Sequence, residues 1–80
     1  MMNEQVKLIY EDLRERYKKS SLSKSEMAYE MGVSYSTIDN YIARGYGTPN
    51  YKKLGNAKNA KVIFNIIDVA HFLADTIETL

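Results

Sequence analysis

Cysteine is absent from the chain. That excludes a disulfide framework and a thiolate metal site, and it suits a reducing compartment. Histidine occurs once, as His71 beside Phe72, and the serines stand in no recognisable frame with a paired base, so nucleophilic or acid–base catalysis finds no candidate set. Glycine is scarce as well, and Gly45-Tyr46-Gly47 fits neither nucleotide-binding pattern. No uninterrupted apolar stretch approaches the roughly 20 residues of a membrane span. Residues 1–20, MMNEQVKLIYEDLRERYKKS, mix both charge signs and lack the apolar centre of a signal peptide. These absences lead us to expect a cytoplasmic protein that is not an enzyme, with no cofactor, metal, membrane or small-molecule ligand.

What is present suffices for one small domain. The 80 residues are 45% hydrophobic, enough for a modest core and too much for a disordered chain. The net charge is only +1, but it is unevenly spread. Residues 21–39 hold Lys24 against Glu26, Glu30 and Asp39. From Asn40 to Ile67 the charged residues are Arg44, Lys52, Lys53, Lys58 and Lys61, with no acid among them. Phosphate neutralisation needs such a segregated positive stretch. A lysine-bearing hairpin also serves solubility, because lysine on an edge strand blocks aggregation.

Periodicity places the elements. Val6, Ile9, Tyr10, Leu13 and Tyr17 recur at three and four residues, which predicts a first helix over 3–19. It is expected to pack across the two helices that follow, since a two-helix motif cannot bury both its apolar faces. Ser23 and Glu26 form a capping-box signature, so a second helix should open at Lys24 with Met27, Ala28 and Met31 inward. Gly32 sits where the chain must turn with positive φ. Ser34 caps a third helix with Ile38, Tyr41 and Ile42 inward, and the pair spans 24–43. Gly45, Gly47 and Thr48-Pro49 mark a loop. Asn50–Leu54 and Lys61–Phe64 read as two short strands around a tip at Gly55–Ala60, a hairpin over 50–64. Asn65 and Asp68 repeat a capping arrangement, which starts a last helix over 66–78 with Val69, Phe72, Leu73 and Ile77 in one stripe.

Two short helices joined by a tight turn resemble the helix-turn-helix family, with Ala28, Gly32, Val33, Ile38 and Tyr41 where that family places small, glycine and bulky apolar residues. Arg44-Gly45, Pro49, the stretch YKKLGNAKNAKVIFN, and Asp68-Val69 with Phe72-Leu73 are similar to a narrower group. This is the MerR-like and excisionase-like winged helix-turn-helix domains, the AlpA type of small phage and plasmid regulators. The resemblance runs from Leu22 to Leu73. Its departures are the longer connection Gly45-Tyr46-Gly47-Thr48 and a wing tip with asparagine, alanine and lysine where many relatives carry arginine. It implies a mainly α fold with a small β-hairpin, a winged helix-turn-helix of first helix, second helix, recognition helix, two-stranded wing and C-terminal helix.

The function it implies is sequence-specific binding of double-stranded DNA by a transcriptional regulator or excisionase-type factor. The recognition helix would enter the major groove while the wing touches the adjacent backbone or minor groove. On that frame Ser34, Tyr35, Ser36, Thr37 and Asn40 are the candidates for bases and nearby phosphates. Asp39 either accepts from cytosine or faces away. Arg44 is either a dipole partner of its helix or a phosphate contact. Lys52, Lys53, Lys58 and Lys61 are the candidates of the wing, the first two on opposite faces of one strand. A lone module buries about 600–1,000 Å² on DNA, so a homodimer or a cooperative array is expected. Competing readings are a protein-interaction module, which a weakly charged recognition surface with Asp39 would suit, and a DNA-packaging or replication adaptor.

Overall fold

The computed structural model describes residues 3–55 and 61–75. It is mainly helical, with four helices and a small antiparallel sheet. The first helix, α1, runs Glu4–Tyr17, shorter than the 3–19 expected. Asn3 caps it, its side-chain oxygen accepting from the Val6 N–H at 2.8 Å. Lys18 ends it by entering the left-handed region at φ 55°, its N–H donating to the Arg14 carbonyl. A two-residue strand, β1 (Ser21–Leu22), follows. The Ser23–Glu26 capping box is formed reciprocally and opens α2 (Lys24–Met31).

Gly32, at φ 71°, closes α2. The Gly32 and Val33 N–H groups donate back to the carbonyls of Tyr29 and Ala28, a double closure that needs a left-handed residue at its centre. Ser34 then caps α3 (Tyr35–Arg44), accepting from the Thr37 N–H. The strands β2 (Lys52–Leu54) and β3 (Lys61–Asn65) are shorter and longer, respectively, than expected, and residues 56–60 of the expected tip lie outside the described residues. The last helix, α4 (Ile66–Ala74), is capped by Asn65, whose side chain accepts from the Ile67 N–H. It stops at an extended Asp75 rather than reaching residue 78, and Ile77 lies outside the described residues.

Two expectations need correction. The sheet has three strands, not the two of a bare hairpin. The order is β1-β3-β2, with Leu22 opposite Phe64 on one side of β3 and Lys53 opposite Val62 on the other. A two-residue strand carries no periodicity to read, but Leu22 is wholly buried there. The second correction concerns α1, which packs chiefly against α4 rather than across α2 and α3. The reason is the width of the apolar surface on α4. Ile66, Val69 and Ala70 are wholly buried and Phe72 and Leu73 half-buried, more than the sheet alone covers.

The core joins Val6 and Leu13 of α1, Leu22, Met27, Ala28, Ile38, Val62, Phe64 and the buried residues of α4. Phe64, with no exposed surface, lies at the sheet's centre, met edge-on by Tyr51 with ring centroids 6.0 Å apart. Among the described residues no helix is long and apolar enough to cross a membrane.

Candidate nucleic-acid interface

The two helices joined at Gly32 present one side of α3 outward. Ile38 is buried and Thr37, Tyr41 and Ile42 are half-buried, while Tyr35, Ser36, Asp39, Asn40, Ala43 and Arg44 are exposed. Residues four apart on a helix stand one above the other. The exposed side therefore carries two rows, Tyr35–Asp39–Ala43 and Ser36–Asn40–Arg44. Ser34, Ser36 and Thr37 share hydroxyl contacts at the N-terminal turn, with Ser34 Oγ 2.8 Å from Thr37 Oγ1 and 3.2 Å from Ser36 Oγ. Ser34 is spent largely on capping, and Thr37 is tied to it. Ser36 and Asn40 are the better-presented polar groups.

Asp39 is neither free nor turned away. Lys24, the first residue of α2, donates to its Oδ1 at 2.7 Å and lies 5.3 Å from the centre of the Tyr35 ring. The ammonium proton is held more firmly than usual, chiefly by the hydrogen bond to Asp39, against a smaller opposing cost of burial. A cation on α2 thus neutralises the acid on α3 and settles Tyr35 at the same time. Sequence reasoning did not place Lys24 in the site, because 15 residues separate the partners and no local spacing connects them.

The C-terminal end of α3 is built differently. Gly45, at φ 82°, turns the chain back so that the N–H groups of Gly45 and Tyr46 donate to the carbonyls of Tyr41 and Ile42. Tyr46 then lies beside Arg44. The guanidinium carbon is 4.8 Å from the Tyr46 ring centre and 5.1 Å from that of Tyr41. Tyr41 was expected on the inward stripe. It is half-buried outside the core, its ring covered by the backbone of Gly47, where an added Cβ would meet Tyr41 Cγ at 2.9 Å. Ile42, the next residue, packs against the core instead.

The remaining cations stand on the sheet. Lys52 opposes Ile63, Lys53 opposes Val62 and Lys61 opposes Leu54. Opposed residues share a face and neighbours in sequence do not, so Lys52 and Lys61 stand on one face and Lys53 on the other. All three are exposed. Lys58 lies outside the described residues. Arg44, Lys52, Lys53 and Lys61 pair with no carboxylate among the described residues.

Elsewhere, a cleft of about 520 Å³ opens between Asn3, Pro49, Asp68, His71 and Asp75. It takes no residue from α2 or α3 and holds no predicted site residue. Among the described residues no group of three or more His, Asp or Glu is placed to hold a metal ion.

Comparison with protein-family models, with curated proteins and with solved structures returned no match.

Proposed function

We propose that the chain is a winged helix-turn-helix protein that binds double-stranded DNA with sequence preference. In this reading α2 and α3 form the motif, α3 enters the major groove, and β2 with β3 is the wing. The observation that carries it is the distribution of unpaired charge. The one acid on the outward side of α3 is neutralised by Lys24, while four cations that follow along the chain have no acidic partner among the described residues. A surface that meets a phosphate backbone needs both conditions. Ser36 and Asn40 supply the polar edges for base contacts, with the Asn40 amide suited to adenine. Arg44 and the strand lysines supply the phosphate contacts.

The competing protein-interaction reading draws on the weakly charged recognition surface of α3. The pairing of Asp39 with Lys24 supports the DNA reading over it only in that the acid there is not left bare. The resemblance to small phage and plasmid regulators makes a repressor, activator or excisionase-type role the natural setting.

The test is fluorescence anisotropy with a labelled random-sequence duplex across a salt series. If Arg44, Lys52, Lys53 and Lys61 each neutralise one phosphate, log K should fall with log salt at a slope of about −3.6, roughly a hundredfold loss between 50 and 200 mM. A flat salt series would defeat the proposal. Selection of target sequences from a random pool should then give a motif that relaxes at one position in Asn40→Ala.

A further inference from the structure

Arg44 is held in a way that its position at a helix end does not account for. A cation at the C-terminus of a helix commonly serves the last carbonyls. Here the carbonyls of Tyr41 and Ile42 already accept from the N–H groups of Gly45 and Tyr46. Nor does a carboxylate claim the guanidinium among the described residues. Its neighbours are instead two aromatic rings, Tyr46 at 4.8 Å and Tyr41 at 5.1 Å. Tyr46 is 63% exposed, so burial of its own apolar surface does not explain a tyrosine at this turn. Tyr41 in turn is backed by Gly47, whose φ of 102° and missing Cβ let the chain lie against the ring. Contact with a ring face leaves the N–H edge of a guanidinium open, and that edge matches a phosphate.

We propose that Tyr46, together with Tyr41 and the glycine behind it, is a positioning device that holds Arg44 ready for a backbone phosphodiester of the duplex. The inference rests on the DNA-binding reading above and adds to it a residue outside the predicted site. An unconstrained arginine loses side-chain freedom when it binds; one already restrained by two rings loses less, so the rings act on affinity without touching the nucleic acid. Tyr46 is thus a positioning residue and Arg44 the contact.

The experiment uses the full chain and the random duplex, with Arg44→Ala, Tyr46→Ala, Tyr46→Phe and the Arg44→Ala/Tyr46→Ala pair. Arg44→Ala should lower the magnitude of the salt slope by about one, as expected for one lost phosphate contact. Tyr46→Ala should weaken binding roughly two- to fivefold, the range of an exposed cation–aromatic contact. Tyr46→Phe, which keeps the ring, should bind as the wild type does. In the double variant Tyr46→Ala should cost nothing beyond Arg44→Ala, and circular dichroism melts of the Tyr46 variants should match the wild type. Wild-type affinity in Tyr46→Ala overturns the inference, as does an equal Tyr46→Ala loss with and without Arg44, which would make Tyr46 a contact itself. A weak Tyr46→Phe overturns it too, by placing the effect in the hydroxyl. If the wild type shows no salt-dependent binding, the DNA reading fails first and takes this inference with it; in the other outcomes the DNA reading survives.

Discussion

Replacing Glu30 by glutamine should destabilise the domain by about 1–2 kcal/mol, and the structure shows why. Glu30 accepts from both terminal nitrogens of Arg16, at 2.7 and 2.8 Å, and from the Tyr17 hydroxyl at 2.5 Å. These bonds tie the end of α1 to α2, while the apolar stripe of α1 faces α4 instead. The Glu30 side chain is only 9% exposed, but that of Arg16 is 39% exposed. Hydrogen bonds to charged groups contribute about 1.5–3 kcal/mol in protected settings, and solvent on the arginine side reduces that figure toward the roughly 0.2–1 kcal/mol of surface pairs. Glutamine keeps the shape but turns an N–H₂ toward donors, so at least one bond is lost and not replaced. A domain this size shifts its melting temperature by about 4–8 °C per kcal/mol, so a drop of roughly 4–15 °C is expected at pH 7. The acid limb gives a sharper check. The Arg16 hydrogen bonds, working against burial, hold the Glu30 carboxyl below the usual carboxylate range. A depressed carboxylate contributes stability that is present above its unfolded value of about 4.3 and is lost as pH falls through the folded value. Melts followed by circular dichroism from pH 3 to 7 should therefore show the gap between wild type and Glu30→Gln closing as the medium becomes acid. Equal melting temperatures at pH 7, or a gap that persists unchanged at pH 3, would refute the reasoning.

Three further outcomes follow from the same geometry. Burial, followed by the bond to Glu30, raises Tyr17 to about 12, so its share of stability is present below pH 10 and lost as pH rises toward 12; a tyrosinate absorbance step near pH 12 should vanish in Tyr17→Phe. Lys18→Gly should raise the urea midpoint, by roughly 0.5–1 kcal/mol of stability, because the left-handed φ of 55° costs a lysine more than it costs glycine; an unchanged or lower midpoint counts against it. Lys24→Met should weaken duplex binding several-fold at low salt by uncovering Asp39, and the Lys24→Met/Asp39→Asn pair should recover most of the loss in an anisotropy titration, whereas a pair as weak as the single change would mean that Lys24 itself meets the phosphate.

The elements whose causes are local were legible in the sequence. Ser23 and Glu26, three residues apart, form the reciprocal cap they spell out, and Gly32 is the left-handed closure its position requires. Asn65 caps α4 as its spacing suggests. What escaped was set by neighbours distant in sequence. Leu22 becomes a strand residue only because Phe64 lies opposite it. The ends of α1 are a separate case: Asn3 and Lys18 cap it through local bonds to Val6 and Arg14, which a helical stripe does not register. Tyr41 follows the inward period of α3, yet its ring lies between Gly47 and Arg44 rather than in the core.

Charge shows the same division with more consequence for function. Counted along the chain, residues 21–39 are acidic, which argues against a helix meeting DNA there. In three dimensions each of the three acids has its own cation: Glu26 takes Lys19, Glu30 takes Arg16 and Asp39 takes Lys24. Two of those cations, Arg16 and Lys19, come from outside residues 21–39, at the α1 end of the chain. A paired acid and base leave a short dipole, whose field decays faster with distance than that of a lone charge and is further screened within about 8 Å at physiological salt. The described cations between Asn40 and Ile67 have no such partners, so their fields persist outward. The sequence segregates positive charge by position, and folding adds the pairing across the helices that answers the acids of residues 21–39 while Arg44, Lys52, Lys53 and Lys61 keep no acidic partner among the described residues. A protein with a formal charge of only +1 thus carries no unpaired acid on α2 or α3, because all three of the acids there are answered within the fold.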